Sequence, residues 1–182
     1  MSRLSQAIAE GDGISVLVEV RDAAAADLAE GQGADGLVVW GDPAAVRGAS
    51  QLPLLFLGGP SEAHAGAVDA VVVPAEPEPW DSAQALGLEC VVRVERADEL
   101  ERALEELDPE IFLLGSDPGS DDDALELLLE LLHDVPAGKL AIAELRDATA
   151  DDVAELERAG VDAVLVTARD VAALVPAEPP DV

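Results

Sequence analysis

At 182 residues, 49% of them hydrophobic and with a mean hydropathy of +0.21, the chain suits one domain with a sizeable core and is too apolar for a disordered acidic chain. Its 39 acidic residues against 10 basic ones give a net charge of −29, so no basic stripe can neutralise a phosphate backbone, and nucleic acid and anionic membrane surfaces are disfavoured as partners. The single cysteine, Cys90, excludes an intramolecular disulfide and a Cys-rich metal site; no His/Cys/Asp set has ligand spacing, and neither a metal nor a cofactor is implied.

Residues 1–13 form a short N-terminal segment without a long apolar run behind a basic start, and no stretch reaches the roughly 18 apolar residues of a membrane span; a cytoplasmic location is expected. Eight short apolar runs then recur, each followed by an Ala/Leu/Glu-rich stretch: Ile14–Val20, Gly36–Trp40, Leu52–Leu57, Val68–Val73, Leu88–Val94, Ile111–Leu114, Leu140–Glu144 and Asp162–Val166. One unit per roughly 23 residues is the rhythm of an eightfold β/α (TIM) barrel with every connection cut short. Strand-then-helix order makes the strands parallel and the crossovers right-handed. The alternative is an open doubly wound sheet, against which no G-x-G-x-x-G or P-loop follows any strand; Gly58-Gly59 reads as a tight turn.

Between the runs, Asp42-Pro43 offers an N-cap and a first-position proline, although the helices after strands two and three have room for only about two turns. Pro74–Pro79 reads as a stiff loop leading into a short helix over Trp80–Leu86. Helices are expected over Asp98–Leu107 and Asp121–His133, the latter with Leu125, Leu128, Leu129 and Leu132 on one face and its three leading aspartates favouring the helix dipole. Thr149 and Asp152 make a capping-box start to Asp151–Ala159, and Gly160 suits its C-cap. Pro176–Val182 read as a tail, and the whole chain, 1–182, as one barrel domain.

Segments of this order resemble the indole-3-glycerol phosphate synthases. Leu86–Leu104 is similar to that family's fifth strand and helix and Ala141–Val166 to its seventh strand, helix and eighth strand; weaker likenesses are Glu19-Val20-Arg21, Gly33–Val39 and Leu52–Leu55. The likeness runs from residue 14 to about 171, without the family's extended helical N-terminal arm. It implies a barrel that decarboxylates and cyclises a carboxyphenylamino-deoxyribulose phosphate, with Glu19 and Glu144 on two acidic catalytic positions. At other positions the resemblance breaks. Arg21 stands for a lysine, and an arginine makes a poor proton shuttle. The general-acid lysine falls on Leu57 and the fifth-strand glutamate on Arg93. The sixth-strand asparagine pair falls near Leu114-Gly115-Ser116, the phosphate-binding Ser-Gly on Leu145-Arg146, and the eighth-strand glycine on Thr167. These replacements together imply loss of that reaction.

Because strand side chains alternate, Glu19 with Arg21, Arg93 with Glu95, and Glu144 with Arg146 each point one way at the ends of odd strands, which share interior layers of a barrel. The expectation is an ion-pair network plugging the mouth, with Asp117 placed to join it. The alternative is a pocket in which Arg21, Arg93 and Arg146 hold a small anionic ligand. A working lyase or isomerase on a phosphorylated or carboxylated substrate, and a binding or scaffold module, are the competing functions; the oligomeric state is not legible. Cys90 reads as a core thiol, His64 and His133 as surface residues, and Trp40 as a packing residue rather than a cover for the mouth.

The acidic excess itself generates a test. If it is adaptation to high ionic strength, the melting temperature climbs through molar KCl as carboxylate repulsion is screened, and a flat response leaves only composition as its origin.

Overall fold

The computed structural model describes residues 3–11, 13–115, 124–167 and 171–174. A helix, α1 (Arg3–Ala9), precedes β1 (Ser15–Val20), α2 (Ala23–Gly31), β2 (Gly36–Val39), α3 (Pro43–Ala49), β3 (Leu54–Phe56) and β4 (Ala70–Pro74). After these come α4 (Pro77–Ala85), β5 (Glu89–Val94), α5 (Ala97–Glu106), β6 (Ile111–Leu114), α6 (Ala124–His133), β7 (Leu140–Glu144), α7 (Ala150–Ala159) and β8 (Ala163–Val166). The strands are all parallel and close in sequence order, β8 returning to β1, so the sheet has no open edge. This is a (β/α)8 barrel, and each strand overlaps its predicted run.

The pairing register sets the interior. Stepping round the ladder with the strand tilt, inward side chains stack in layers of four from alternate strands. Gly36, Ala70, Ile111 and Ala163 form the lowest of three apolar layers, above Ser15, Glu89 and Leu140, followed by Leu17, Leu55, Val91 and Ile142, then by Val38, Val72, Leu113 and Leu165. These aliphatic layers form one core. The outward residues of the same strands, among them Val18, Val39, Phe56, Val92 and Val164, pack beneath the helices as a second.

The lowest layer is poor in volume, three of its four residues being Gly or Ala. The segment before β1, expected as a simple lead-in, is instead the helix α1, which pushes fully buried Leu4 and nearly buried Ile8 into the barrel core. Its helicity follows from what it fills rather than from its length, since seven residues are too few for an isolated helix.

Three strand joints share a further device. Asp35, Asp69 and Asp162, each one residue before β2, β4 and β8, donate a backbone N–H to the carbonyls of Val16, Leu54 and Ala141. Their carboxylates accept the N–H of those same residues at 2.8, 2.9 and 2.8 Å, so one aspartate grips both sides of its partner. At the corresponding place before β6 stands Glu110, which pairs with Lys139 together with Asp108.

The helices show where local signals win and lose. At α7 the capping box forms in full, with Thr149 N–H to Asp152 at 2.8 Å, and Gly160 takes the left-handed C-cap at φ 95°. At α3, Asp42 caps Ala44 at 3.0 Å with Pro43 in the first position. The proline-rich loop, by contrast, is partly helix: Pro77 and Pro79 sit in the first turn of α4, where no intrahelical partner exists for the missing N–H groups.

The expected helix after β3 is absent, replaced by turns over residues 62–67. Two contacts substitute for it. The Arg47 guanidinium donates to the carbonyls of Ala67 at 3.0 Å and Leu52 at 2.9 Å while pairing with Asp69, which pins the connection to α3. The Phe56 ring packs edge-on against His64 at 4.7 Å, and Gly58 leaves room for that ring, since a Cβ there would lie 2.4 Å from it. His64 is therefore half-buried, against the surface placement expected, whereas His133 is exposed. After β8 a 3₁₀ turn, Val171–Ala173, is the last helical piece among the described residues. The expected tail and Asp121–Asp123 lie outside the described residues.

Filling the barrel floor from α1 makes Leu4→Ala costly: about 2–5 kcal/mol in a denaturant melt, as for other large-to-small core changes. Leu28→Ala, on the exposed face of α2, should stay within about 0.5 kcal/mol and serves as the control.

Candidate functional site

Above the aliphatic layers the odd strands contribute a fourth layer, Glu19, Leu57, Arg93 and Glu144, at the carboxyl ends where barrels place their chemistry. Two residues further along the chain, Glu95 and Arg146 rise from the ends of β5 and β7. Five of these side chains are joined in one run of contacts. Arg93 Nε donates to Glu95 Oε1 at 2.9 Å, and its second nitrogen lies 2.8 Å from Glu144 Oε2. Arg146 grips Glu144 Oε1 through Nε at 3.0 Å and a terminal nitrogen at 2.7 Å, and reaches Glu19 Oε2 at 3.1 Å. Thr167 Oγ1 adds a long 3.5 Å contact to the same Glu19 oxygen.

Glu144 is the hub. Its side chain is 6% exposed and Glu19's 7%, whereas the Arg146 side chain is 45% exposed, so the carboxylates lie deep and the guanidiniums cover them. The two Glu144 oxygens differ. Oε1 receives two directed hydrogen bonds, while Oε2 has a guanidinium nitrogen beside it but out of line for a hydrogen bond. That oxygen is held by charge alone. With three carboxylates against two guanidiniums, the run carries a net negative charge.

Gly115, at the end of β6, makes this packing possible. A Cβ there would stand 3.1 Å from an Arg93 nitrogen and 3.3 Å from Glu95 Cγ, so the absent side chain is the space across which the Arg93–Glu95 pair lies. The sequence pointed to it only as part of Leu114-Gly115-Ser116, where the resemblance puts an asparagine pair; the inward parity of Ile111 and Leu113 makes Gly115 the next mouth position. The Glu99 carboxylate of α5, also unanticipated, accepts the Glu95 N–H at 2.8 Å and anchors the end of β5.

Arg21 does not join the network. β1 ends at Val20, the chain bends, and Asp22 turns to cap Ala25 at 2.9 Å, leaving Arg21 exposed and without an ion pair among the described residues. Alternation predicted otherwise because it holds only while the strand continues. Asp117 lies outside the described residues.

The ion pairs do not fill the mouth. A cleft of about 580 Å³ opens on the side of β2 to β5, with Leu57, Val72 and Pro74 among its apolar lining and Arg93, Arg146, Glu95 and Glu76 among its charged groups. Trp40, expected to pack, is 53% exposed and lines this cleft. Cys90 points the other way, into the shell beneath α4, and burial followed by the neighbouring Glu89 charge pushes its thiol up to about 11, an unreactive value. Among the described residues no group of three or more His, Cys, Asp or Glu side chains could hold a metal, and no helix is long and apolar enough to cross a membrane.

With this geometry in view, comparisons with known proteins support the architecture more broadly than any activity. No family model matches the chain. It is 39% identical over 84 residues to indole-3-glycerol phosphate synthase of Variovorax paradoxus (strain S110), a stretch covering 46% of this chain and 32% of that protein. The match thus spans about a third of the relative's length. Among solved structures, N-acetylmannosamine-6-phosphate 2-epimerase from Clostridium perfringens superposes with a TM-score of 0.70 at 16% identity, covering 84% of this chain and 85% of that one. Thiamine phosphate pyrophosphorylase from Pyrococcus furiosus gives 0.69 at 17% identity, covering 88% and 93%. Phosphoenolpyruvate phosphomutase from Streptomyces platensis subsp. rosaceus gives 0.69 at 14%, covering 90% and 79%. The fold is a TIM barrel. At these identities the structures speak to the fold alone.

The network predicts a graded cost. Arg93→Ala removes one of two cations from buried Glu144 but leaves Arg146 in place, so it should cost about 1–3 kcal/mol in urea, below the 3–5 kcal/mol expected of a wholly stranded buried charge. Arg21→Ala should stay within about 0.5 kcal/mol.

Proposed function

We propose that this protein is a barrel related to the indole-3-glycerol phosphate synthases that does not carry out their reaction, its mouth held by ion pairs instead. One observation carries the reading. Leu57, on the position that the resemblance gives to the general-acid lysine, sits 9% exposed in the same layer as Glu19, Arg93 and Glu144. A hydrocarbon side chain there has no proton to give.

The neighbouring replacements point the same way. Arg93, on the position of a glutamate, lies against Glu144 and neutralises it; a guanidinium stays protonated near neutrality and cannot act as its base. Arg146, where the resemblance places a phosphate-binding Ser-Gly, turns inward to Glu144 and Glu19 rather than standing free for phosphate. A substrate phosphate would have to displace a carboxylate that is buried and already paired, at the cost of stranding it.

A second reading, a working lyase or isomerase on a small phosphorylated or carboxylated substrate, is favoured by one feature. Glu144 Oε2 is buried without a directed hydrogen bond, an acceptor left unfilled at the carboxyl end of the barrel. Assays with carboxyphenylamino-deoxyribulose phosphate discriminate between the readings. The first expects no indoleglycerol phosphate above background, and turnover abolished by Glu144→Gln overturns it.

A further inference from the structure

We infer that the cleft over β2 to β5 binds a small zwitterion with a flat apolar body, its ammonium group held by Glu76 and its carboxylate by Arg102. The inference does not depend on whether the barrel turns over the synthase substrate, because it concerns groups that the ion-pair network leaves uncommitted.

Most charges around the cleft are already spent. Arg93 lies against Glu95 and Glu144, and Arg146 against Glu144 and Glu19. Glu99 holds Arg96 at 2.9 Å besides the Glu95 N–H. Glu76, exposed at the start of α4, makes no ion pair or side-chain hydrogen bond among the described residues, and the ion pair of Arg102 there is a 3.7 Å contact with exposed Asp98, a surface pair of little worth. Both line the cleft. They also flank one stretch of it: Glu76 follows the end of β4, whose last residue Pro74 pairs with Arg93, and Arg102 stands one turn along α5 from Glu99.

The charge pattern selects the ligand class. A simple anion would have to compete with the internal carboxylates for Arg93 and Arg146, and it approaches a chain of net charge −29. A simple cation meets Arg93 and Arg102 on entry. A zwitterion answers both uncommitted groups and leaves the network intact. The apolar share of the site is set by Leu57, Val72 and the half-exposed Trp40 ring, a stacking surface for a flat group, and about 580 Å³ lies within the range of small-molecule sites.

Titration of the full chain with L-phenylalanine and L-leucine, followed by tryptophan fluorescence and by ligand-dependent melting temperature, tests this. 3-Phenylpropionate, phenethylamine and inorganic phosphate supply the carboxylate-only, ammonium-only and anion arms. The expected result is saturable binding of phenylalanine, tighter than that of leucine. Binding should weaken about tenfold or more in either Glu76→Gln or Arg102→Gln, and likewise for each single-charge analogue. Both variants lie on the surface and keep the wild-type melt without ligand; Trp40→Ala should lose the fluorescence response and weaken phenylalanine most. Phosphate or phenylpropionate binding as tightly as phenylalanine overturns the proposal. So does phenylalanine binding indifferent to Glu76 and Arg102, or no saturable binding of either amino acid.

Discussion

Closure of eight strands in a single register is the constraint on which the rest of this molecule depends. Once β8 returns to β1, every second residue of each strand is assigned to the barrel interior and to a definite layer. Three layers are aliphatic, and the fourth brings Glu19, Arg93 and Glu144 together although they are far apart in the chain. A shift of one residue in β1 would turn Glu19 outward and a valine into the mouth. The rigid hydrocarbon stack beneath is what holds the carboxylates close to the guanidiniums.

Within that frame the mouth is a compromise between burial and charge. Two carboxylates are more than nine-tenths buried, and two arginines, still partly in water, cover them. This arrangement limits the desolvation of the guanidiniums, which keep solvent on one side, while the carboxylates take short contacts in exchange. It also accounts for Gly115. The pair Arg93–Glu95 needs a lane across β6, and a side chain at that position would close it.

The barrel was legible in the chain because its evidence is periodic: apolar runs at even spacing, Thr149 with Asp152, and Gly160 each carry their own geometry. Features set by tertiary volume were not. Nothing in Arg3–Ala9 announces that Leu4 will be wanted beneath Gly36 and Ala70, and the turns after β3 depend on Arg47, about 20 residues upstream of the Ala67 carbonyl it holds. At the mouth, parity located the Arg93–Glu95 and Glu144–Arg146 pairs in common space, but it failed at Arg21, where the strand had already ended. The cleft was foreseen only as the alternative pocket around Arg93 and Arg146, and its extent was not, because it is a space, bounded by what Trp40 and Pro74 do not fill.

The doubled aspartate joints divide the barrel in a way its even circle of strands conceals. Asp35 ties β2 to β1, Asp69 ties β4 to β3, and Asp162 ties β8 to β7, each through backbone and side chain together, whereas β6 meets β5 with Glu110 in the corresponding place. A strand, its following connection and the next strand therefore make up a fastened module. Such modules can form from contacts close in sequence before the circle closes, which lowers the loop entropy to be met at the final step. Of the four pairs so defined, β5–β6 is the one with a glutamate in place of the aspartate, and β2–β3, β4–β5, β6–β7 and the closing β8–β1 are the plain backbone seams between modules.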